Sequence, residues 1–185
     1  GTAFEVSNMF NSNISNSSGF SVAVNGFVLD TSGNMTIYNV RGESTTFVAF
    51  GVQSSNNTLV NNTIGISSSS TGFVMNNAVN TTVLNSTFTS STSLSLNVFG
   101  TSHDNTLINT TYLSNGTFGI SISGASLRNN FIESVINTNA TWLNSGASVA
   151  PGNLSNTLFN ATNGSIRILS NVQIPATASV NQTTL

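Results

Sequence analysis

The side chains that can do acid–base or metal chemistry are few in this sequence of 185 residues. Three residues are Lys or Arg, five are Asp or Glu, one is His and none is Cys. A general acid and base need two carboxyl groups within roughly 5–10 Å of each other, and only Asp104 and Glu133 lie about one repeat of the sequence apart. One imidazole without Cys is not a set of metal ligands. The chain is therefore predicted not to be an enzyme, and to need no cofactor or metal ion.

His103 and Asp104 are adjacent, and Arg128 follows Asp104 by 24 residues. In a repeat of that length Asp104 and Arg128 occupy the same place in consecutive units. We therefore predict an exposed ion pair between Asp104 and Arg128, worth about 0–1 kcal/mol. His103 is interpreted as a solvated turn residue.

N-glycosylation sequons are numerous, with 14 in the chain. The 31 Ser and 25 Thr produce most of them by composition alone. A surface this poor in charge nevertheless needs another source of solubility, and attached glycans are one. The sequons in turn-like segments are the predicted glycan sites: Asn16, Asn34, Asn56, Asn80, Asn115, Asn139 and Asn163.

A repeat of about 24 residues positions these side chains. The segments NTLVNNTI, TTVLNSTF, NTLINTTY and NNFIESVI begin at residues 57, 81, 105 and 129, and looser copies begin at residues 8, 35 and 156. Alternating apolar residues downstream predict strands with one buried face: Phe20/Val22/Val24, Val48/Phe50/Val52, Leu94/Leu96/Val98 and Phe118/Ile120/Ile122. Clusters of Ser, Asn, Thr and Gly between them predict turns. The chain is predicted to be all-β.

An Asn follows the apolar pair in nearly every repeat, and Glu133 replaces it once. Amides stacked about 4.8 Å apart in successive coils can hydrogen-bond along the coil axis. The predicted structural ladder consists of Asn11, Asn39, Asn61, Asn85, Asn109 and Asn160. Glycosylation of this column is the alternative, because several of its members begin sequons.

The N-T-[LIV]-[LIV]-N-x-T-[IFY] units resemble the right-handed parallel β-helix repeats of the pectate-lyase-like and NosD-like superfamily, over roughly residues 5–175. The resemblance implies a β-solenoid of about seven coils. No capping helix is expected, because good helix formers are scarce. Residues 1–175 are predicted to form this single domain. Residues 176–185 are predicted to be a polar C-terminal tail that contacts another subunit.

Composition excludes several classes of function. With only three Lys or Arg residues, the chain has no basic surface for nucleic acid. Its apolar runs are too short to span a membrane.

Unpaired strands at both ends of a solenoid favour stacking of copies. We therefore predict an extracellular, N-glycosylated subunit of a homopolymeric filament or surface layer. Its composition resembles that of archaeal surface proteins. It would assemble through open solenoid ends or by exchange of a terminal strand. The alternatives are an adhesion or glycan-binding module of a larger surface protein, and a polysaccharide lyase or hydrolase.

Overall fold

The structure is a computed structural model that describes residues 1–116, 118–124, 126, 128–138, 141–144, 158–161, 167–169 and 179–182. Every regular element in these residues is a β-strand. The 22 strands form three parallel sheets. The first sheet contains β1 (Thr2–Ser7), β4 (Asn25–Asp30), β7 (Phe50–Gln53), β10 (Phe73–Asn76), β13 (Leu96–Phe99), β16 (Phe118–Ile122) and β19 (Thr141–Asn144).

The second sheet contains β2 (Asn13–Ser15), β5 (Thr36–Tyr38), β8 (Leu59–Asn61), β11 (Thr82–Leu84), β14 (Thr106–Ile108), β17 (Asn130–Ile132), β20 (Leu158–Ala161) and β22 (Ser179–Gln182). The third contains β3 (Ser18–Ser21), β6 (Arg41–Ser44), β9 (Ile64–Ser67), β12 (Thr87–Ser90), β15 (Thr111–Ser114), β18 (Val135–Thr138) and β21 (Arg167–Leu169). Strand β22 lies inside the segment predicted to be a tail, and it pairs with β20.

The chain passes through the three sheets in the same order in each coil from β1 to β21, and each strand pairs with its equivalent one coil away. Side-chain bonds between neighbouring coils join residues 23 positions apart in the early coils and 24 apart later. This architecture is a parallel β-helix. The predicted fold is confirmed, and sheets of seven, eight and seven strands agree with about seven coils.

Three columns of residues with left-handed backbone make the corners of the coil. The first corner follows the first sheet: Asn8, Thr31, Ser54, Asn77, Gly100 and Gly124. The second corner precedes the second sheet: Asn11, Asn34, Asn57, Asn80, Asp104 and Arg128. The third corner follows the second sheet: Asn16, Asn39, Asn62, Asn85, Asn109 and Glu133. Asn adopts this conformation more readily than most residues, which explains why so much Asn recurs at these places.

One predicted strand is wrong. Phe20 ends up 66% exposed on β3, and Val22 is 60% exposed beyond its end. The buried strand of that coil is β4, in which Phe27 and Leu29 point inward. The early coils are 23 residues long, and aligning them on a longer repeat shifts the register. A slip in register places side chains on the wrong face.

The core is a stack of apolar side chains that runs along the axis of the coil. Phe27 stacks on Phe50 with ring centroids 4.8 Å apart, and Phe73 stacks on Phe88 at 4.3 Å. The rings come from the first sheet in the early coils, from the third sheet in the next ones, and from the second sheet at Phe131. The third sheet has glycines opposite the early rings, among them Gly42 and Gly65. Because the rings change sheets in this way, most coils contribute one large ring to the core.

We expect Gly65→Ala to lower the free energy of unfolding by about 1–3 kcal/mol, as overpacking does. A Cβ at this position would lie 2.7 Å from the carbonyl oxygen of Gly72 and 2.9 Å from Cδ1 of Phe88. Chemical denaturation checks this value. The control is Gly51→Ala on the outer face of β7, where the new Cβ meets nothing closer than 3.5 Å. Equal stabilities of the two variants would contradict the packing described here.

Tyr112 is buried in the stack, and its hydroxyl oxygen has no hydrogen-bond partner among the described residues. The Thr110 hydroxyl lies 2.9 Å from Ser134 Oγ, and it counters the effect of burial on the pKa of Tyr112 only in part. Burial therefore raises the pKa of the Tyr112 phenol well above its usual range.

We expect Tyr112→Phe to leave stability unchanged or slightly raised at neutral pH, because an unpaired buried polar group is removed. Since only the unfolded state can ionise Tyr112 near its ordinary pKa of about 10, wild-type stability falls as pH rises through that value. Tyr112→Phe lacks this contribution to the fall in stability. Unfolding free energies measured on both sides of that pH check the prediction, and identical pH dependence in the two proteins would refute it.

A column of buried Ser, which the repeat analysis missed, closes the turn after the third sheet. Its members are Ser44, Ser67, Ser90 and Ser114. Ser67 is typical: its Oγ donates to the carbonyl of Phe47 at 2.8 Å and accepts from the N–H of Ser70 at 2.9 Å. The hydroxyls thus satisfy backbone groups that no strand reaches. The regular spacing of these Ser residues is the signal that would have revealed the column.

Candidate functional site

The second corner carries a cluster of three chemically active side chains. Asp104 Oδ1 accepts from Nε of Arg128 at 2.6 Å, and Oδ2 accepts from Nη2 of Arg128 at 2.7 Å. His103 Nδ1 also lies 2.7 Å from Asp104 Oδ2. Asp104 is placed by the left-handed turn before β14, and Arg128 by the same turn one coil later. We name His103, Asp104 and Arg128 the charged cluster.

Hydrogen bonds shift the ionisation of Asp104 and Arg128. The hydrogen bond from Arg128, followed by that from His103, holds the pKa of the Asp104 carboxyl well below its usual range. The same bond raises the pKa of Arg128. Nδ1 of His103 lies 3.5 Å from Arg128 Nη2 but only 2.7 Å from Asp104. The shorter contact places the imidazole proton on Nδ1 when the ring is neutral, so Nε2 is the free proton acceptor.

A shallow groove of about 350 Å³ lies one coil from the charged cluster. Its walls come from the second corner and from β8 and β11: Asn57, Thr58, Leu59, Asn80 and Thr82. The coil that carries His103 and Asp104 borders the groove, because the N–H of Asn80 donates to the carbonyl of His103 and Thr82 pairs with Thr106 in the next coil. Its lining has amides, hydroxyls and one aliphatic side chain but no charge. Such a surface suits the hydroxyl groups and ring carbons of sugars.

Two fully buried amides lie beneath the charged cluster. Asn105 and Asn129 directly follow Asp104 and Arg128, and both are 0% exposed. Asn105 Nδ2 donates to Asn129 Oδ1 at 2.9 Å. The same place in other coils holds Met35, Thr58 or Thr81. The sequence analysis missed this pair, although two Asn residues 24 positions apart behind Asp104 and Arg128 were visible in it.

The predicted Asn ladder is divided between two corners. At the third corner, Nδ2 of Asn39 donates to Asn16, and Nδ2 of Asn109 donates to Asn85. Asn61 joins this ladder by accepting from Asn85 at 3.2 Å. Asn11 instead lies at the second corner, where it accepts from Asn34. Asn160 lies on β20, a strand and not a corner.

The predicted glycan sites occupy different environments. Asn34 and Asn80 use their Nδ2 atoms as ladder donors, while Asn16 accepts through its Oδ1. Asn56 and Asn115 are exposed. Two further predicted sites fall outside the described residues: Asn139 and Asn163.

The carboxylates are arranged differently from the sequence-based expectation. Asp104 and Glu133 lie at different corners, with β17 between Arg128, the partner of Asp104, and Glu133. Glu5 and Asp30 lie on the neighbouring strands β1 and β4, where Glu5 pairs with Val28, two residues before Asp30. The alternation of strands places both on the outer face of the first sheet. The fifth carboxylate, Glu43, bonds Arg41 on β6.

Comparison with known proteins identifies the fold alone. No protein family profile and no curated protein matches the sequence. Among solved structures, the periplasmic alginate epimerase AlgG matches 96% of this chain and 51% of its own, with 10% identity and a TM-score of 0.51. The catalytic domain of a GH87 alpha-1,3-glucanase matches 97% of this chain and 50% of its own, with 10% identity and a TM-score of 0.43. The chain thus spans about half the length of these structures.

The prediction that the protein is not an enzyme is contradicted by the match to AlgG, because an epimerase has the same fold over nearly the whole of this chain. The argument from scattered carboxylates was also incomplete, since it interpreted His103 as a solvated turn residue and Asp104 with Arg128 as an ion pair, whereas the second corner brings all three together. In the described part of the chain, no helix is long and apolar enough to cross a membrane.

Proposed function

We propose that this protein is a secreted or surface enzyme that acts on a polysaccharide by proton transfer at a sugar ring. The observation that carries the proposal is the charged cluster, in which Asp104 bonds both His103 and Arg128 beside an uncharged groove. An imidazole whose Nδ1–H is held by a carboxylate is oriented to accept a proton at Nε2. His103 is the base, Asp104 orients it, and Arg128 supplies a cation.

The reaction that uses these groups best is removal of a hydrogen from a ring carbon bonded to a carboxylate. Nε2 of His103 takes the proton, and the electron pair of the C–H bond moves into the carboxylate, where the Arg128 cation stabilises the added charge. Return of a proton from solvent to the opposite face inverts the carbon. If the electron pair instead expels the neighbouring glycosidic oxygen, the imidazolium gives its proton to that oxygen and the chain is cut.

Acidic polysaccharides are therefore the proposed substrates. The AlgG match supports this choice, because that protein is described as an alginate epimerase and its fold covers this chain. The amides of Asn57 and Asn80 and the hydroxyl of Thr82 would bond the hydroxyl groups of the neighbouring sugars.

The test is incubation of the wild-type protein with alginate or polygalacturonate in D2O. Nuclear magnetic resonance then detects deuterium at the ring carbon, and ultraviolet absorbance detects the unsaturated product of cleavage. Deuterium uptake into one polymer, with none into a neutral glucan, is the expected result. Uptake into no acidic polymer tested, by protein shown to be folded, would overturn the proposal.

A second candidate function, self-association of copies that carry N-glycans, is favoured by the first coil. This coil exposes Phe10 by 59%, Phe20 by 66% and Val22 by 60%. Exposed apolar side chains on one coil favour association with another chain. Glycans at Asn56 or Asn115 would stay clear of this coil.

Sedimentation velocity over a wide range of concentration tests this second function. The wild type is expected to form larger species as concentration rises, and Phe20→Asp is expected to remain monomeric. The intact mass of protein purified from its native source shows whether the protein carries glycans. A wild type that stays monomeric throughout would remove self-association through this coil.

A further inference from the structure

The side chain of Asn129 makes bonds on both sides of the two residues that carry the proposed base. Its Nδ2 donates to the carbonyl of Ser102 at 3.2 Å, immediately before His103. Its Oδ1 accepts from the N–H of Asn105 at 3.3 Å, immediately after Asp104. One buried amide thus holds both ends of the His103–Asp104 dipeptide. Asn129 also directly follows Arg128, so one residue is tied to all three members of the charged cluster.

Asn105 makes the equivalent pair of hydrogen bonds to the coil before it. Its Nδ2 donates to the carbonyl of Ala78 at 2.9 Å, and its Oδ1 accepts from the N–H of Thr81 at 2.9 Å. These bonds enclose Val79 and Asn80, and Asn80 lines the groove. The two coils before Asn105 have Thr81 and Thr58 at this place. The hydroxyl oxygen of Thr81 has no partner among the described residues, and the hydroxyl of Thr58 donates to the carbonyl of Asn56 within its own turn. Such bonds between coils are therefore made by Asn105 and Asn129, next to Asn80 and the charged cluster.

The energetics indicate that these amides do more than fill space. A buried amide is expensive to place in a core unless all its bonds are made, whereas Met35 fills the same place in an earlier coil with no polar hydrogen-bonding group. A Thr at residue 129 would be compatible with the coil. Its single hydroxyl, however, cannot reach both the carbonyl of Ser102 and the N–H of Asn105, as the two ends of the Asn129 amide do. What Asn129 provides is a corner turn whose backbone is fixed by hydrogen bonds.

We propose that Asn129 is a positioning residue, which holds the His103–Asp104 dipeptide so that the imidazole and the carboxylate keep their hydrogen bond. The inference rests on the proposed function for its catalytic consequence, but the geometry it describes can be measured without any substrate.

The experiment uses the imidazole of His103, which is the only one in the chain. The ¹⁵N chemical shifts of the ring report which nitrogen carries the proton. We expect the wild type to hold the proton on Nδ1, and Asn129→Thr to give a mixture of both tautomers. Asn129→Asp, which keeps the shape and the acceptor but loses the donor to Ser102, is the second variant if Asn129→Thr does not fold. The ¹³C signal of the Asp104 carboxyl, assigned with Asp104→Asn, should then titrate at higher pH than in the wild type.

Ser67→Ala is the matched control, since it removes two hydrogen bonds of a buried polar group on the third sheet, away from the second corner. It should lose stability but keep the wild-type ring shifts. With an acidic polysaccharide, Asn129→Thr should lower kcat by about 10–100-fold with little change in KM. Wild-type ring shifts in both Asn129 variants would overturn the inference. Altered shifts in a protein whose wild type turns over no polymer would support the positioning role and defeat the proposed function alone.

Discussion

Phe88→Ala is expected to lower the free energy of unfolding by about 3–5 kcal/mol, the usual cost of removing a ring from a packed core. Phe88 is fully buried, and its ring centroid lies 4.3 Å from that of Phe73, 6.2 Å from that of Phe50 and 6.1 Å from that of Tyr112. The ring therefore joins the aromatic side chains of three successive coils. For a chain of this length the loss corresponds to a fall in Tm of roughly 10 °C.

Phe20→Ala is the matched control, because Phe20 also lies on a strand of the third sheet but is 66% exposed. Its effect should stay within about 0.5 kcal/mol, as for most surface substitutions. Thermal and denaturant unfolding of the two variants side by side give the comparison. A loss at Phe88 no larger than that at Phe20 would show that the rings do not form one continuous core.

The repeat predicted the fold because a parallel coil places equivalent residues of successive repeats beside each other. Apolar residues that face inward in one coil, such as Val60, Val83 and Leu107, must do so in the next, since each strand pairs with its counterpart. The alternation of side chains then assigns the buried face. These rules depend on spacing alone, and spacing is visible in a sequence.

Register in the early coils was harder to predict. The Asn residues at the second and third corners look alike in sequence, because both corners need a left-handed backbone and Asn satisfies it. Asn11 was therefore aligned with Asn39, although the two lie at different corners. The placement of Gly65 opposite Phe50 was also hidden, since it depends on which side chains meet across the core.

The charged cluster was only partly predictable. The spacing of Asp104 and Arg128 indicated a contact, and the structure places Nε of Arg128 2.6 Å from Asp104 Oδ1. The orientation of the neighbouring imidazole was not visible, because a residue at a turn can point in several directions until its backbone is fixed. That backbone is held by the amide of Asn129, a residue 26 positions after His103 and one coil away. Sequence spacing shows that two residues are near each other but not which atoms bond.

The second large effect is expected on activity. His103→Gln should lower kcat with an acidic polysaccharide by about 10²–10⁴-fold, the usual contribution of a general base. Asp104→Asn should cause a loss of similar size, since an amide does not attract the Nδ1–H and the Arg128 cation as a carboxylate does. Initial rates of deuterium uptake measure both variants. Glu43→Gln is the control, because it removes the carboxylate of the ion pair with Arg41 on β6, away from the charged cluster, and should leave the rate unchanged.

The lowered pKa of Asp104 adds a test by pH. A carboxyl whose pKa is lower in the folded state stabilises the protein above its unfolded pKa of about 3.9, and that stabilisation is lost as pH falls below it. The difference in free energy of unfolding between the wild type and Asp104→Asn should therefore be constant above about pH 5 and should change as pH falls below about 3.9, because only the wild type loses this stabilisation. A difference that does not change with pH over this range would mean that the pKa of Asp104 is the same in the folded and unfolded states. The hydrogen bonds from Arg128 and His103 would then not exist in solution, and the orientation of the base would need another cause.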